Sequence, residues 1–248
     1  MEDVKQHYET LFAKHNTWMF GTSFEAKVAE QRAILEDALK AVPRTGDRGL
    51  AVDLGCGPGY QAVALAQMGF APVVAVDTSA TLLCELRSHQ GGLPIEASEN
   101  DILNLGTLVS PGTAHSIVCM GDTITHLGSK SEVLALVRQA AKALTPGGVL
   151  VITYRDLSTE LTGLDRFIPV QSDDDRVMTC FLEFDQLESV LVNDLVYSRE
   201  GAQWKLEKSS YRKLRLPVKW LEDAMSSAGF EVVRGSSGRL IRMVGQKL

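Results

Sequence analysis

Over residues 1 to 20, Val4, Tyr8, Leu11, Phe12 and His15 fall about one helical turn apart, the spacing of one face of an amphipathic helix. The run Thr22-Ser23-Phe24-Glu25 then sets a glutamate three residues behind a threonine, the capping box that opens a helix. Val28, Leu35, Leu39 and Val42 continue a helical stripe that stops before Pro43, a residue unable to donate to the preceding turn. After a turn at "TGDRG", Leu50 to Leu54 predicts a buried strand that feeds a glycine loop. From there the pattern alternates: helix over 60–68, strand over 72–76, helix from about Ser79, and strand over 115–120 ending at Gly121. Ser129 and Glu132 form a second capping box that opens a helix through Leu144, and "TPGG" turns the chain into a strand over 149–153. Strands alternating with helices predict a parallel sheet with right-handed crossovers.

Past residue 155 the periodicity changes. Residues 176–184, 188–197 and 203–214 read as three longer strands with no helix between them, an antiparallel meander that turns at Glu200-Gly201. A last helix covers about 217–227, Gly229 caps it, and "FEVVRG" and "RLIRMVGQ" form a hairpin around "SSG".

The chain has 248 residues, 45% of them hydrophobic, enough to bury the core of one large α/β domain. Its net charge of -6 argues against a broad phosphate-binding surface, and so against a nucleic-acid partner. No apolar run approaches the roughly 18 residues needed to span a bilayer, so no membrane partner is expected. The acidic, polar start "MEDVKQHYET" is unlike a secretory leader. Cys56, Cys84, Cys119 and Cys180 lie far apart without a C-x-x-C pair, as expected of small buried side chains in a reducing cytoplasm. The histidines form no cluster with ligand spacing, so no metal is expected.

The chemistry starts at the glycine loop. In an open parallel sheet, ligands sit beyond the carboxyl ends of the strands. Gly55, Gly57 and Gly59 end the first strand there. Asp77 ends the second, placed to accept hydrogen bonds from two ribose hydroxyls. Asp101 lies beyond the third, where a carboxylate can accept from an adenine amine while Ile102 packs on the ring. The dinucleotide fingerprint is G-x-G-x-x-G; here the spacing is G-x-G-x-G, Tyr60 follows directly, and no basic residue stands in the loop to meet phosphate. A cationic or zwitterionic nucleoside fits this loop better than a pyrophosphate.

"VDLGCGPGY", "VVAVD", "NDILNL", "VCMGDTITHL" and "LTPGGVLVIT" resemble, in order and spacing, the successive motifs of class I S-adenosylmethionine-dependent methyltransferases. The resemblance covers about residues 48–155. It implies a Rossmann-like, seven-stranded α/β sheet, with S-adenosyl-L-methionine as cofactor and S-adenosyl-L-homocysteine as product. Gly55, Cys56 and Gly57 would border the methionine part, and Asp53 would orient the loop or bind the amino group through water. Asp77, with Thr78 beside it, would hold the ribose, and Asp101 with Ile102 the adenine. Met120 and Gly121 would line the methionine amine. On this reading residues 1–46 are a helical lid, 47–155 the cofactor-binding core, 156–215 an inserted antiparallel meander and substrate lid, and 216–248 the elements that complete the core sheet.

"TWMFG", "KVAEQ", "CMGDTITHL" and "VLVITYR" are further similar to stretches of glycine N-methyltransferases and related small-amine enzymes. That similarity implies that Tyr8 and Trp18 close over the cofactor, that Lys27 meets its carboxylate, and that Arg155, with Tyr154 beside it, holds an acidic end of the substrate. Lys27 stands where that group has an arginine. Asp122 replaces an asparagine that contacts the amino-acid substrate, which speaks against glycine itself and points to a more cationic amine or a different pose.

Each residue also has a plainer reading. Arg155 is equally a strand-end arginine in an ion pair, His126 a helix-start residue rather than a general base, and Tyr8 and Trp18 core residues. The basic run from Lys205 to Lys219 reads as a solvated strand face from which Tyr211 or Arg212 can meet an anion. "SDDDR" at 172–176 reads as a solvated turn. The expected activity is methylation of a small molecule, at nitrogen, with Asp122 or His126 handling the amine proton. O-methylation of an acid or alcohol, a non-catalytic cofactor sensor and a nicotinamide oxidoreductase are the competing readings. Oligomeric state stays open.

Overall fold

In the computed structural model of the chain, residues 7–42 and 48–248 are described, with the side chains of Tyr8, Phe12, Ala13, Asn16 and Thr17 left aside. Val4 and Pro43, which figured in the predicted helices, lie outside the described residues. A π-helical turn over Tyr8–Phe12 runs into α1 (Ala13–Phe20), and α2 spans Phe24–Lys40. The cap of α2 is Ser23, whose hydroxyl accepts from the Ala26 N–H at 3.2 Å. It is not Thr22, because the chain leaves α1 through Gly21 at φ 62°, and the extended residue preceding the helix is Ser23.

The alternating part follows as β1 (Ala51–Leu54), α3 (Tyr60–Gln67), β2 (Val73–Asp77), α4 (Ala80–His89), β3 (Ile95–Glu99), β4 (Ala114–Cys119), α5 (Lys130–Ala143) and β5 (Leu144–Tyr154). Then come β6 (Phe167–Ser172), β7 (Arg176–Glu183), β8 (Ser189–Glu200), β9 (Gln203–Leu214), α6 (Val218–Ser227), β10 (Phe230–Ser237) and β11 (Leu240–Lys247). The main sheet has the order β10-β11-β5-β4-β1-β2-β3. Its β1 to β5 strands run parallel, and β11 lies antiparallel to both β5 and β10. A second, antiparallel sheet has the order β6-β7-β8-β9. The architecture is the expected α/β one, with a seven-stranded Rossmann-like sheet and a separate antiparallel sheet.

Three local expectations are corrected. Strand β6, an edge strand containing Pro169, was not foreseen. Strand β5 already begins at Leu144, which pairs with Ala114, and Thr145 to Gly148 make an excursion before Val149 pairs with Ser116. At Ser129 the hydroxyl accepts from the Glu132 N–H (3.2 Å), but the Glu132 carboxylate reaches back to the Gly128 N–H (2.7 Å) rather than to the cap residue.

Both faces of the main sheet are covered. Leu35, Val63, Leu65 and Phe70 pack one face, and Leu136, Val137, Leu221 and Met225 pack the other. Central strands buried on both sides explain why β1 and β4 are mostly apolar, with Asp53, His115 and Ser116 as the polar exceptions. Each such fully buried aliphatic side chain contributes about 1.5–3 kcal/mol. The second sheet buries Leu182, Val190, Val192 and Tyr211. Met178 and Val196 pack against Leu11 and Trp18 of the N-terminal segment. Through β9 this sheet meets both the N-terminal turn and the short 3-10 turn Thr123–His126 that follows β4. That placement roofs the carboxyl ends of β4 and β5.

Candidate functional site

Strand β1 delivers the chain into Gly55-Cys56-Gly57-Pro58-Gly59, whose glycines take φ 72°, 53° and 96°, the left-handed region that a side chain resists. A methyl group on Gly55 would lie 2.2 Å from Thr123 Cγ2, and one on Gly59 2.1 Å from Leu86 Cδ1. At those two points neighbours close directly on the backbone. Among the described residues nothing crowds Gly57 nearer than Leu82 Cδ1 at 4.0 Å, and nothing lies within 4 Å of the Cβ position at Gly121. Space is therefore kept beside Gly57 and Gly121.

The Gly55 and Cys56 N–H groups both donate to the Val76 carbonyl (2.8 and 3.0 Å), pinning the loop to the end of β2. There Asp77 accepts from Gly57 N–H through Oδ2 (2.8 Å) and from Ser79 N–H through Oδ1 (2.9 Å), and the Thr78 backbone also donates to it. Each carboxylate oxygen has a further lone pair, so Asp77 can brace the loop and still accept from two hydroxyls. Burial raises its carboxyl above the ordinary range. Beneath it, burial and then the Asp77 charge push the Asp53 carboxyl up to about 8. Asp53 Oδ2 has no hydrogen-bond partner among the described residues, a buried polar atom of the kind that a ligand or water satisfies. Asp101 caps the short turn Ile102–Asn104 by accepting from the Leu103 N–H (2.8 Å), with Ile102 buried next to it. Met120 is buried, and the Gly121 N–H donates to Thr153 Oγ1 at 2.9 Å. The Cys56 thiol is buried and pushed up by burial, which makes it packing rather than a nucleophile. A loop free of lysine and arginine, a half-buried carboxylate at the second strand and open glycine faces suit a nucleoside carrying a zwitterionic tail.

Asp122 follows at φ 81°, the one residue other than glycine with positive φ among the described residues. Its carboxylate is 1% exposed. It accepts from the Arg155 N–H (2.7 Å), the Arg155 guanidinium (2.5 Å) and Lys213 Nζ (2.8 Å). Burial works against ionisation there, yet Lys213 and Arg155 outweigh it and hold the carboxyl far below the usual range. A carboxylate so held neither takes a proton near neutral pH nor offers an unspent charge to a cationic amine. The structure thus corrects both roles expected of Asp122 and makes it an anchor.

Lys213 lies two positions beyond Tyr211 on β9, on the same inward face. The Tyr211 ring sits 4.2 Å from the ring of His7 and 5.3 Å from that of His126, centroid to centroid. His7 Nε2 is 3.4 Å from Asp194 Oδ2, and the Tyr211 hydroxyl and Cys180 thiol hydrogen-bond the same buried carboxylate. Burial first, and the Lys213 cation second, lower His7 to about 4 and drive His126 well below its ordinary value. Two uncharged imidazoles therefore stand beside a buried ammonium, next to the turn that touches Gly55. A neutral imidazole can accept a proton.

Other expected residues lie elsewhere. Arg212 points to the opposite face of β9 from Tyr211 and Lys213, where it forks onto Asp185 at 2.9 and 2.7 Å. Tyr154 is fully buried in the core layer with Leu216, Leu221 and Met225. Its hydroxyl has no hydrogen-bond partner among the described residues. Both are corrected as substrate contacts by the alternation of side chains along a strand. Trp18 donates through Nε1 to Asp173 (2.5 Å) and carries the Arg176 guanidinium over its ring at 4.6 Å. It braces α1 on the second sheet rather than covering the glycine loop. Lys27 pairs with Glu30 (2.8 Å) and lies over the Phe20 ring at 4.8 Å. The side chain of Tyr8 lies outside the described residues. His7, Asp194 and Lys213 were not foreseen. Strand alternation was the available signal for Lys213, since Tyr211 and Lys213 must share a face that Arg212 cannot.

Among the described residues no group of three or more histidine, cysteine or acidic side chains is arranged to hold a metal, and no helix is long and apolar enough to cross a membrane.

Residues 51–148 match the family described as Methyltransferase domain. The cypemycin N-terminal methyltransferase of a Streptomyces species is 34% identical over 105 residues, 42% of this chain and 41% of that protein, so the chain matches less than half of that relative's length. Among solved structures, CalS10 with S-adenosylmethionine bound, an amino pentose methyltransferase of Micromonospora echinaspora, superposes with a TM-score of 0.73, covering 95% of this chain and 96% of that one at 18% identity. The sugar N-methyltransferase KedS8 of Streptoalloteichus gives a TM-score of 0.69 over 92% of this chain and 89% of that one at 20% identity. At such identities these two likenesses speak for the fold. The family match runs across the glycine loop, Asp77, Asp101 and the turn at Asp122, so residues 51–148 are similar to the methyltransferase domain family, within a fold shared with S-adenosylmethionine-dependent methyltransferases.

Proposed function

We propose that the chain methylates the nitrogen of a small, polar amine, such as an amino sugar or an amino acid. The observation that carries this reading is the buried cluster roofed by the second sheet, in which two uncharged imidazoles, His126 and His7, face Tyr211 beside the turn after β4. Residues 1–46 and 156–215 serve as the lids of that cleft. Bound cofactor supplies a methyl group on a sulfonium, a leaving group that needs little further activation. What the protein adds is alignment of the acceptor and exclusion of water. Asp77 accepts from the ribose hydroxyls, and Asp101 with Ile102 receives the adenine. Gly55, Gly57, Met120 and Gly121 border the methionine part, with Asp53 below. An amine attacks only when neutral; His126, held uncharged next to the turn, orients the neutral amine by accepting a hydrogen bond from it. Arg155, whose side chain is about half exposed, holds an acidic or hydroxylated end of the substrate.

The printed names of several similar proteins fit an amine acceptor: an N-terminal methyltransferase, an amino pentose methyltransferase and a sugar N-methyltransferase. The test is a panel of amino sugars and amino acids, each paired with its hydroxy analogue, incubated with methyl-labelled S-adenosylmethionine. Mass spectrometry then locates the methyl group. Methylation of nitrogen in the amine set is expected. A product methylated on oxygen, or cofactor binding without turnover of either set, overturns the reading.

A further inference from the structure

The turn Tyr8–Phe12 is π-helical, a geometry that is rare and recurs as single turns at functional positions. It carries Glu9, whose Oε2 accepts from the Thr81 hydroxyl at 2.8 Å. Thr81 stands in the first turn of α4, shortly after Asp77. The Ser79 hydroxyl and the N–H groups of Ala80 and Thr81 also face the Glu9 carboxylate, where the start of a helix favours a negative charge. Asp77 takes the Ser79 N–H from the strand side. The carboxylate placed to receive the ribose and the carboxylate of the N-terminal turn thus hold the same helix start from two directions. Residues 7–20 are seated on the second sheet by other contacts. Leu11 packs on Met178 and Val196, Lys14 pairs with Glu207 at 2.9 Å, and Trp18 donates to Asp173. Removing the Glu9 side chain would leave that seat in place and release the hold on α4.

We propose that Glu9 is a positioning residue for cofactor retention: its hydrogen bond with Thr81 fastens the N-terminal segment across the ribose side of the S-adenosylmethionine site, so that the nucleoside leaves only when this contact opens. This rests on the cofactor reading of the glycine loop and Asp77, and it holds whatever the methyl acceptor is. Thr81 is exposed and Glu9 half-buried, so opening the contact strands no buried charge. Such a contact suits a closure that must reopen in each cycle to let the product depart. Its strength comes from a charged acceptor, which makes a hydrogen bond stronger than a neutral pair does.

The test is the dissociation rate of radiolabelled S-adenosylhomocysteine from the full chain, chased with unlabelled ligand. E9A and T81V should each release it about fivefold faster or more, as loss of a hydrogen bond to a charged group implies. T81S keeps the hydroxyl and should stay near the unmodified rate. E9A/T81V should be no more than about twofold faster than the faster single variant, because both substitutions break one contact. Hydrogen exchange gives a second readout: bound ligand should slow the amides of residues 7–20 in the unmodified protein, and E9A should lose that slowing while the glycine loop keeps its own. An unchanged rate in E9A or T81V overturns the proposal, even if E9A lowers Tm. So do T81S behaving as T81V, effects of the singles that multiply in the double variant, and a ligand that leaves residues 7–20 unslowed. D77A separates the two readings. Weaker binding in D77A with an unmoved E9A removes Glu9 and leaves the cofactor site standing, whereas no binding to the unmodified chain overturns both.

Discussion

Replacing Asp122 with asparagine isolates one charge from the geometry around it. Asparagine tolerates the left-handed backbone at φ 81°, and its amide oxygen can still accept from the Arg155 N–H. What disappears is the counter-charge of Lys213, an ammonium 11% exposed. Removing one partner of a buried pair costs about 3–5 kcal/mol, because the other charge is left uncompensated. Asp194 stays near Lys213, which points to the lower end, about 3 kcal/mol. The Arg155 arm is 54% exposed and adds less than about 1 kcal/mol. For a domain of this size each kcal/mol is worth about 2–4 °C, so D122N should lower Tm by about 6–12 °C near neutral pH. Thermal unfolding followed by circular dichroism measures it, in a cycle with K213M and D122N/K213M. The double variant removes both members of the Asp122–Lys213 pair and should recover about 2 kcal/mol relative to the sum of the singles. The pH dependence has a definite sign. The folded carboxyl titrates below its unfolded counterpart, so its contribution is complete above the unfolded pKa of about 3.9 and is lost as pH falls below that value. The gap between D122N and the unmodified protein should therefore narrow under acid. A D122N Tm within about 2 °C of the unmodified protein, or singles that simply add, refutes the assignment of Asp122 as a buried anchor.

Asp53 behaves in the opposite sense. Its folded pKa of about 8 lies above the unfolded value of about 3.9, so the fold retains a proton that the unfolded chain has released. Stability should fall as pH climbs between those values and level off above them. D53N, neutral throughout, should gain on the unmodified protein over that window in urea denaturation; a constant difference refutes it. G55A adds a methyl 2.2 Å from Thr123 Cγ2 at a left-handed position and should weaken S-adenosylhomocysteine binding at least about tenfold in calorimetry, or about 1.4 kcal/mol, with partial relief in G55A/T123A. D77A should weaken the same binding by about a hundredfold, given about 1.5–3 kcal/mol for each hydrogen bond to a charged acceptor; an unchanged Kd removes Asp77 from the ribose. R212A breaks an exposed pair with Asp185 and should cost less than about 1 kcal/mol in the unfolding midpoint.

The parallel core was legible because its signals are local. Apolar runs, the capping signals at Thr22 and Ser129, and three glycines within five positions each act over one or two turns of chain. The α/β class, the antiparallel insertion and the family resemblance followed from them. Caps shifted by a residue where a neighbouring glycine redirected the backbone, as at Gly21 and Ser23. The acceptor cleft was less legible because its contacts are not local. His7 meets Asp194, and Lys213 meets Asp122, pairings set by how β8 and β9 fold over the sheet. Reading Tyr211 and Arg212 as neighbours in one site treated adjacent strand residues as if they shared a face. Asp122 was read as an unspent charge because nothing near it in sequence shows the lysine that neutralises it.

The N-terminal segment touches the two halves of the molecule within three residues. His7 lies against Asp194 of the second sheet, while the Glu9 carboxylate accepts from the Thr81 hydroxyl at 2.8 Å, in the first turn of α4 just past Asp77. A single short strap thus spans the rim where the ribose would rest and the cleft where the amine would wait. Cutting that strap would leave the glycine loop whole but strip the cleft of one imidazole and the rim of one carboxylate. A substitution that shifts this short segment would therefore be felt at both places at once, because the same stretch of backbone carries both contacts.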